Sequence, residues 1–168
     1  MFNLILLVSL LFDTEFLTVP TPLKIHDVRF RYSVDKKSNN SKDQLLLVQS
    51  GTKVIQQIPL TGPAGKQPDG EIILKDVNFD GEADLMITRD RGIVNNAYNY
   101  WLYDKRTKKF ALNRELSNEL AGYEVKFDSI KHQVITANRF GCCEHQWKTY
   151  RYINQQLKLV KTKTEKNT

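Results

Sequence analysis

Helical periodicity, catalytic signatures and apolar runs of membrane-spanning length are all missing from this chain of 168 residues. No segment sustains the period of an amphipathic helix, which argues against an α-helical fold. The chain contains no G-x-S-x-G, no H-E-x-x-H and no phosphate-binding glycine loop, and its three histidines are scattered. The net charge is +6 but no dense basic block carries interleaved aromatic residues, so nucleic acid is the weaker interpretation of that charge.

Cysteine is scarce, and Cys142 and Cys143 are the two residues of this type. Adjacent cysteines rarely place both sulfurs on one tetrahedral ion, so zinc binding with nearby His145 is the least favoured interpretation. A disulfide between neighbours is strained, because a trans peptide holds their Cα atoms about 3.8 Å apart. In an oxidising compartment the disulfide is still favoured over two free thiols. The sequence alone leaves these alternatives open.

The strongly apolar run at residues 2–12 is about as long as the core of a signal peptide and too short for a membrane span. No Lys or Arg precedes it and no small-x-small cleavage motif follows it, and a buried N-terminal strand is the alternative. We favour a secretory leader, and with it a periplasmic or secreted location. Residues 1–22 are interpreted as leader and linker, 23–162 as a single domain, and 163–168 as a basic tail.

Short apolar and β-branched segments, separated by turn residues, follow one another through the rest of the chain. Alternation is clearest at residues 98–103, which a charged turn separates from 110–112, and a second hairpin joins 123–127 to 133–136. Further strands are expected at 45–48, 53–60, 72–74, 85–88, 147–153 and 156–160, with a single helical turn at 116–120. This order predicts an all-β fold built as an antiparallel meander.

Side chains with oxygen donors recur at positions 1, 3, 5 and 9 of the segment that begins at residue 76, with glycine at position 6. Alternate residues of a tightly curled loop point toward one centre, and the glycine lets the backbone carbonyl at position 7 join them. The predicted ligands are Asp76, Asn78, Asp80, Glu82 through its carbonyl, and Asp84. Hard carboxylate and amide oxygens favour Ca²⁺ over a transition metal. The alternative is a polar hairpin turn without a metal.

This loop differs from an EF-hand, which requires a bidentate Glu at position 12 and a helix on each side. Position 12 is Ile87, and both flanks are apolar and β-branched. We therefore expect the ion to close a connection between two strands and to act mainly on stability.

The order of motifs along residues 72–160 resembles a known class of proteins. It runs from D-x-N-x-D-G-x-x-D-L through Y-W-L-Y-D, K-F, E-L-S, a Phe-Asp hairpin and Cys-Cys to Y-R-Y. The order resembles that of small calcium-binding β-propeller-like proteins of Gram-negative envelopes, some of which are periplasmic lysozyme inhibitors or immunity proteins against secreted muramidases. The resemblance implies a propeller-like fold or partial propeller with an integrin-like calcium loop. It assigns the calcium ligands to the same five positions of that loop.

The function implied is that of a secreted protein that binds a peptidoglycan hydrolase and inhibits it by plugging its cleft. Polar turns supply the expected partner contacts, which are Arg89, Arg91, Arg139, Phe140 and His145. The alternative is a calcium-stabilised envelope or adhesion module without inhibitory activity. An enzyme is the least favoured function, because carboxylates that are saturated by a metal are poor acid–base catalysts.

Overall fold

A computed structural model describes residues 28–34, 44–60 and 72–166 of the chain. The segments with the predicted alternation form short strands, because β-branched and aromatic side chains pack well on a pleated surface. The strands are β1 (Val28–Val34), β2 (Gln44–Ser50), β3 (Lys53–Pro59), β4 (Ile72–Lys75), β5 (Asp84–Arg91), β6 (Asn96–Asp104), β7 (Lys109–Asn113), β8 (Glu124–Asp128), β9 (Gln133–Phe140), β10 (Glu144–Ile153) and β11 (Gln156–Lys166). The predicted leader at 1–22 lies outside the described residues, as does the predicted start of the domain.

The strands form three antiparallel sheets, and each sheet contains strands that follow one another in the chain. The orders are β1-β2-β3 in the first sheet, β4-β5-β6-β7 in the middle sheet and β11-β10-β9-β8 in the third sheet. The predicted all-β antiparallel meander is therefore confirmed. Across the described ranges the sheets stay separate and open, and none closes into a barrel or a propeller sheet.

The middle sheet is buried on both faces, because successive side chains of a strand point to opposite sides. Leu85 belongs to an apolar cluster with Val48 and Ile58 of the first sheet. Met86, its neighbour in the chain, belongs to a second cluster with Val134 of the third sheet. The middle sheet thus lies between the other two. Burial on both faces also explains the run of five buried residues at the start of β5, which shows no alternation.

A six-residue helix, α1 (Arg114–Glu119), connects β7 to β8. Asn113 caps its first turn, since its side-chain Oδ1 accepts a hydrogen bond from the backbone N–H of Leu116 at 3.0 Å. Ser117 Oγ accepts from the backbone N–H of Tyr100 at 3.0 Å, which ties the helix to β6. Within the described ranges no helix is long and apolar enough to cross a membrane.

Strand β11 is longer than the sequence predicts. It pairs with β10 from Gln156 opposite Ile153 to Lys166 opposite Glu144, with an irregularity in register between Thr149 and Tyr150. Residues 163–166, predicted from the sequence to belong to a basic tail, belong to this strand. Lysines do not prevent strand formation here, because β11 is the edge strand of its sheet, where charged side chains remain solvated.

Replacing Tyr100 by phenylalanine should destabilise the fold by about 1 to 2 kcal/mol, because the variant loses one buried hydrogen bond. The Tyr100 side chain is fully buried, and its hydroxyl donates to the carbonyl of Leu120, at the end of α1, at 3.0 Å. Denaturant titration would measure the change in the free energy of unfolding. The control is Tyr123→Phe at a side chain that is 38% exposed, for which we expect almost no change. Equal stability of the two variants would contradict the role of this bond.

Candidate functional site

The loop between β4 and β5 curls around its own carboxylates. Asp76 accepts hydrogen bonds from the backbone N–H groups of Asp80 at 3.1 Å and Gly81 at 3.0 Å. Asn78 Oδ1 also accepts from the backbone N–H of Asp80 at 3.2 Å, and Asp80 Oδ1 accepts from that of Glu82 at 2.9 Å. Gly81 has a φ of 87°, a conformation that is costly for residues with a Cβ, so it permits the turn predicted for it.

Asp84 is the residue that attaches this loop to the sheet. Its side chain is fully buried, and its two oxygens accept hydrogen bonds from the backbone N–H groups of Val77 at 2.9 Å and Tyr103 at 2.8 Å. The pKa of Asp84 is raised to about 7, chiefly by burial; the two backbone hydrogen bonds lower it in part, and the negative charges of Asp80 and Asp76 add to the rise. The carboxyl group therefore holds the loop against β6 at the cost of desolvation.

The five predicted ligands are brought together in this single loop, and their donor atoms are all oxygens. Hydrogen bonds also join these side chains to one another, since Asn78 Nδ2 donates to Asp80 Oδ2 at 2.9 Å. In the described part of the chain, no group of three or more His, Cys, Asp or Glu side chains is arranged to hold a metal ion. The assignment of the five residues as ligands stays a prediction, and their all-oxygen chemistry fits a hard cation such as Ca²⁺.

A buried hydroxyl group adjoins the same loop. The Oη atom of Tyr152 is inaccessible to solvent and lacks a hydrogen-bond partner among the described residues. Burial raises the pKa of Tyr152 above its usual range, and the negative charges of Asp84, Glu115, Asp76 and Asp80 raise it further. Buried polar atoms almost always have a partner, which can be an ordered water or an ion. This orphaned oxygen is a second feature of the structure that fits a bound cation or its water near the loop.

Phe79 connects the loop to the third sheet. The sequence does not predict this role, because Phe79 lies between two predicted ligands and has no ligand atom of its own. Its φ of 60° is uncommon for a residue with a side chain. Its ring stacks on His132 in the β8–β9 turn, with centroids 5.3 Å apart and planes at 4°, and meets the ring of Tyr152 edge-on at 5.8 Å. These contacts help to offset the backbone cost.

Lys105 is another residue of this site that the sequence did not identify. Its Nζ lies 2.9 Å from Glu82 Oε1 and 3.3 Å from the backbone carbonyl of Asp80. These contacts raise the pKa of Lys105, with the hydrogen bond to Glu82 as the largest cause. The sequence indicates only a solvated charged turn after β6, because the pairing depends on how β4 to β7 fold together.

We call the loop between β4 and β5, residues 76–83, the metal loop. The predicted partner contacts lie at the opposite end of the strands from it. Strand β5 has eight residues, which span roughly 23 Å, and it runs from Asp84 beside the loop to Arg91. At that far end the side chain of Asn95 donates to the backbone carbonyl of Arg139 and accepts from its N–H, both at 3.0 Å. These two bonds join the β5–β6 loop of the middle sheet to the end of β9 in the third sheet, directly before the β9–β10 turn. The sequence predicted contacts in both segments but not that the two segments meet.

We call residues 92–95 and 139–143 together the loop end. Ile93 is fully exposed there and the side chain of Phe140 is 51% exposed. Arg139 Nη2 donates to the carbonyl of Cys142 at 3.1 Å. The sulfur atoms of Cys142 and Cys143 lie at disulfide distance, with Cα atoms 3.8 Å apart. Of the states left open by the sequence, the structure supports the disulfide.

His145 follows the loop end on β10. Its ring stacks with that of Trp147 at 6.0 Å and meets Tyr123 edge-on at 6.1 Å. Arg89 and Arg91 are exposed on the last part of β5. The five predicted contacts are therefore at the same end of the molecule, although His145 packs against two aromatic neighbours.

No known protein family matches the chain, and no curated protein matches it. Among solved structures, it is similar to a type IV secretion system related protein of Xanthomonas, with a TM-score of 0.55 and 18% sequence identity. The similarity covers 86% of this chain and 73% of that chain. At this level of identity the likeness shows a shared fold alone.

This result corrects the resemblance that was drawn from the order of motifs. The chain shares its fold with a type IV secretion system related protein, so its assignment to the family of calcium-binding β-propeller-like envelope proteins of the lysozyme-inhibitor type is wrong. The motif that carried most weight describes one turn between two strands, and different β proteins use such a turn, so it does not define a family.

Asp84 should make the stability of the metal-free protein depend on pH. Because folding raises its pKa from 3.8 to about 7, the native state binds more protons than the unfolded chain between these values. The stabilising contribution is full below the lower value and is lost as the pH rises through about 7. In chelator, the thermal midpoint should therefore fall as the pH rises through this window. The Asp84→Asn variant should be less stable throughout and lack this component, and equal slopes in both proteins would contradict the assignment.

Proposed function

We propose that this chain is a secreted or periplasmic, calcium-binding protein that binds a peptidoglycan hydrolase and inhibits it by occlusion. The observation that carries the proposal is the loop end, where two segments from different sheets are fixed to each other by the side chain of Asn95. The loop end presents Ile93 and Phe140 to solvent, and Arg139, whose backbone is bound by Asn95, precedes Phe140 in the chain. Loops that are already ordered lose little conformational entropy when they bind.

The chemistry of the loop end suits the proposed target. Glycoside hydrolases hold a pair of carboxyl groups on the two sides of the scissile bond, at the bottom of a cleft. An apolar projection fills such a cleft, and cationic side chains beside it match its acidic groups. Arg89 and Arg139 are exposed and supply this charge.

Calcium has a structural part in this proposal. The side chains of Asp76, Asn78, Asp80 and Asp84, with the carbonyl of Glu82, would hold the ion, which supplies positive charge among acidic groups that otherwise repel one another. The metal loop and the loop end are separated by the length of β5, roughly 23 Å, so the ion does not touch a partner bound at the loop end. Its effect on binding is through the stability of the fold.

The sheet arrangement is interpreted as a partial propeller. The three sheets follow one another in the chain, each is an antiparallel meander, and the middle one packs against both neighbours, as successive blades do. In this interpretation the metal loop is an integrin-like connection between the first two strands of the middle blade.

Calcium should raise the thermal midpoint and chelator should lower it. The Asp80→Ala variant, which lacks one charged ligand, should bind Ca²⁺ at least about tenfold more weakly, equivalent to about 1.4 kcal/mol of binding free energy. Calorimetric titration and thermal melting would measure both effects. The control is Asp90→Ala, which removes an exposed carboxylate outside the loop and should leave the calcium response unchanged. Identical melting curves of the unaltered protein in Ca²⁺ and in chelator would exclude a calcium site.

The calcium-loaded protein should form a stable complex with a peptidoglycan hydrolase and stop lysis of cell-wall substrate at a near-equal molar ratio. Phe140→Ala and Ile93→Ala should each weaken inhibition by about tenfold or more without loss of stability, since both side chains are largely exposed. The control is Ile130→Ala in the β8–β9 turn, where the side chain is 92% exposed at the other end of the strands. This variant should inhibit like the unaltered protein.

Binding and inhibition should be measured with a panel of muramidases and lytic transglycosylases. If no member is bound or inhibited by the calcium-loaded protein, the inhibitor proposal fails. The alternative is then a calcium-stabilised envelope or adhesion module. If inhibition occurs but is lost in Ile130→Ala and not in Phe140→Ala, the contact surface lies at the metal-loop end instead.

A further inference from the structure

The third sheet has a face that does not take part in the apolar clusters, which we call the outer face. Val125, Val134 and Tyr150 point from the opposite face into the cluster shared with the middle sheet. Residues that alternate with them point outward, and the strand register places them in rows across the four strands. One row contains Glu124, Ala137, Trp147 and Lys163, and the next contains Lys126, Ile135, Thr149 and Lys161.

The outer face carries an excess of positive charge. Its cationic side chains are Lys126, Arg139, Arg151, Lys158, Lys161 and Lys163, and its acidic ones are Glu124, Asp128 and Glu165. Each acid already has a cationic partner, since Glu124 pairs with Lys126 at 3.1 Å, Asp128 with Lys131 at 3.9 Å, and Glu165 with Lys163.

The excess charge is concentrated on one side of the face, on β10 and β11. Arg151, Lys158 and Lys161 are the cations there that form no ion pair with another described residue. Arg151 lies directly opposite Lys158 in the register, and Lys161 lies opposite Thr149 two residues along β10. Three cations on adjacent strands, without neighbouring acids to neutralise them, attract an anionic ligand.

An aromatic platform lies beside these cations. The rings of His145 and Trp147 are 6.0 Å apart with planes at only 20°, and Tyr123 borders them with its plane at 84° to His145. Lys163 Nζ lies 5.6 Å from the centre of the Trp147 ring. Trp147 is partly exposed rather than buried in either apolar cluster. The part of an indole ring that is exposed to solvent offers a flat apolar surface on which a sugar ring can lie.

We propose that the outer face of the third sheet binds an anionic glycan. A sugar ring lies on Trp147, and the acidic groups of the glycan meet Lys161, Lys158 and Arg151. The positive charge of the face favours an anionic ligand. The aromatic platform favours a ligand that contains sugar rings, and so a glycan is preferred to an acidic protein. Nucleic-acid phosphates are dense and evenly spaced, whereas this face offers three cations without an ion pair to a described residue, which suits the sparser acidic groups of a glycan.

This binding goes beyond inhibition of a hydrolase and does not depend on it. It uses Trp147 and β11, while the proposed inhibitory contact uses Ile93 and Phe140 at the loop end. A protein with both surfaces would hold itself on the polymer that its target enzyme cleaves.

Purified peptidoglycan, stripped of protein, is the probe, because its stem peptides carry carboxylates along a glycan chain. Chitin supplies a related sugar chain without charge, polyglutamate supplies charge without sugar, and single-stranded DNA supplies stacking bases with phosphates. Co-sedimentation measures binding to the insoluble polymers, and tryptophan fluorescence measures binding to soluble ones. We expect binding to peptidoglycan that weakens with salt and exceeds binding to the three other polymers.

Trp147→Ala and Lys161→Glu should each weaken binding to peptidoglycan by about tenfold. Lys161 is exposed, so its replacement keeps the test valid even if Trp147→Ala fails to fold. The matched control is Lys53→Glu, the same change of charge at an exposed position of the first sheet, which should bind like the unaltered protein.

Absence of binding to peptidoglycan at low salt would overturn the proposal, as would binding that neither variant weakens. Equal binding to polyglutamate, insensitive to Trp147→Ala, would show an acidic protein as the ligand class, and tighter binding to single-stranded DNA would show a nucleic acid. Hydrolase inhibition measured with the same variants separates the two proposals. Lys161→Glu should inhibit normally, and Phe140→Ala should bind peptidoglycan normally.

Discussion

The buried carboxyl group of Asp84 connects the metal loop to the body of the molecule. Both of its oxygens accept backbone hydrogen bonds, one from the loop and one from β6, so removing it would leave two buried N–H groups without acceptors. Such a group is retained at a cost, because burial disfavours its charged form. The first turn of the loop, the start of β5 and the end of β6 all depend on this one side chain for their relative positions.

The strands explain why the two candidate regions are independent. Connections alternate between the ends of an antiparallel meander, so the metal loop and the β8–β9 turn with His132 lie at one end. The loop end, with Ile93 and Phe140, lies at the other. A change at one end reaches the other through the stability of the sheets rather than through contact. Among the described residues, the outer face of the third sheet is a third region, separate from the metal loop and from Ile93 and Phe140.

Local chemistry was readable from the sequence, and long-range pairing was not. The alternating residues of β6 predicted a strand, but Tyr100 and Tyr103 are both buried although they point to opposite faces. That result requires a sheet on each side, which periodicity does not reveal. The aspartates and Gly81 predicted the metal loop because their spacing within one short segment can be read directly from the sequence. The contacts of Phe79 with His132 and of Asn95 with Arg139 join segments far apart in the chain, and no residue type announces them. The family resemblance failed for a related reason, since it depended on a turn motif.

Strand β11 also has a consequence for how molecules of this chain behave in concentrated solution. Among the described strands it forms an edge of eleven residues, and an unprotected edge of that length would template pairing with a second molecule and lead to aggregation. Four lysines lie along it, and the irregular register near Tyr150 twists the edge locally. Repulsion between such edges opposes growth of the sheet from one molecule into the next. The charge that we assign to ligand attraction would thus also keep the protein dispersed.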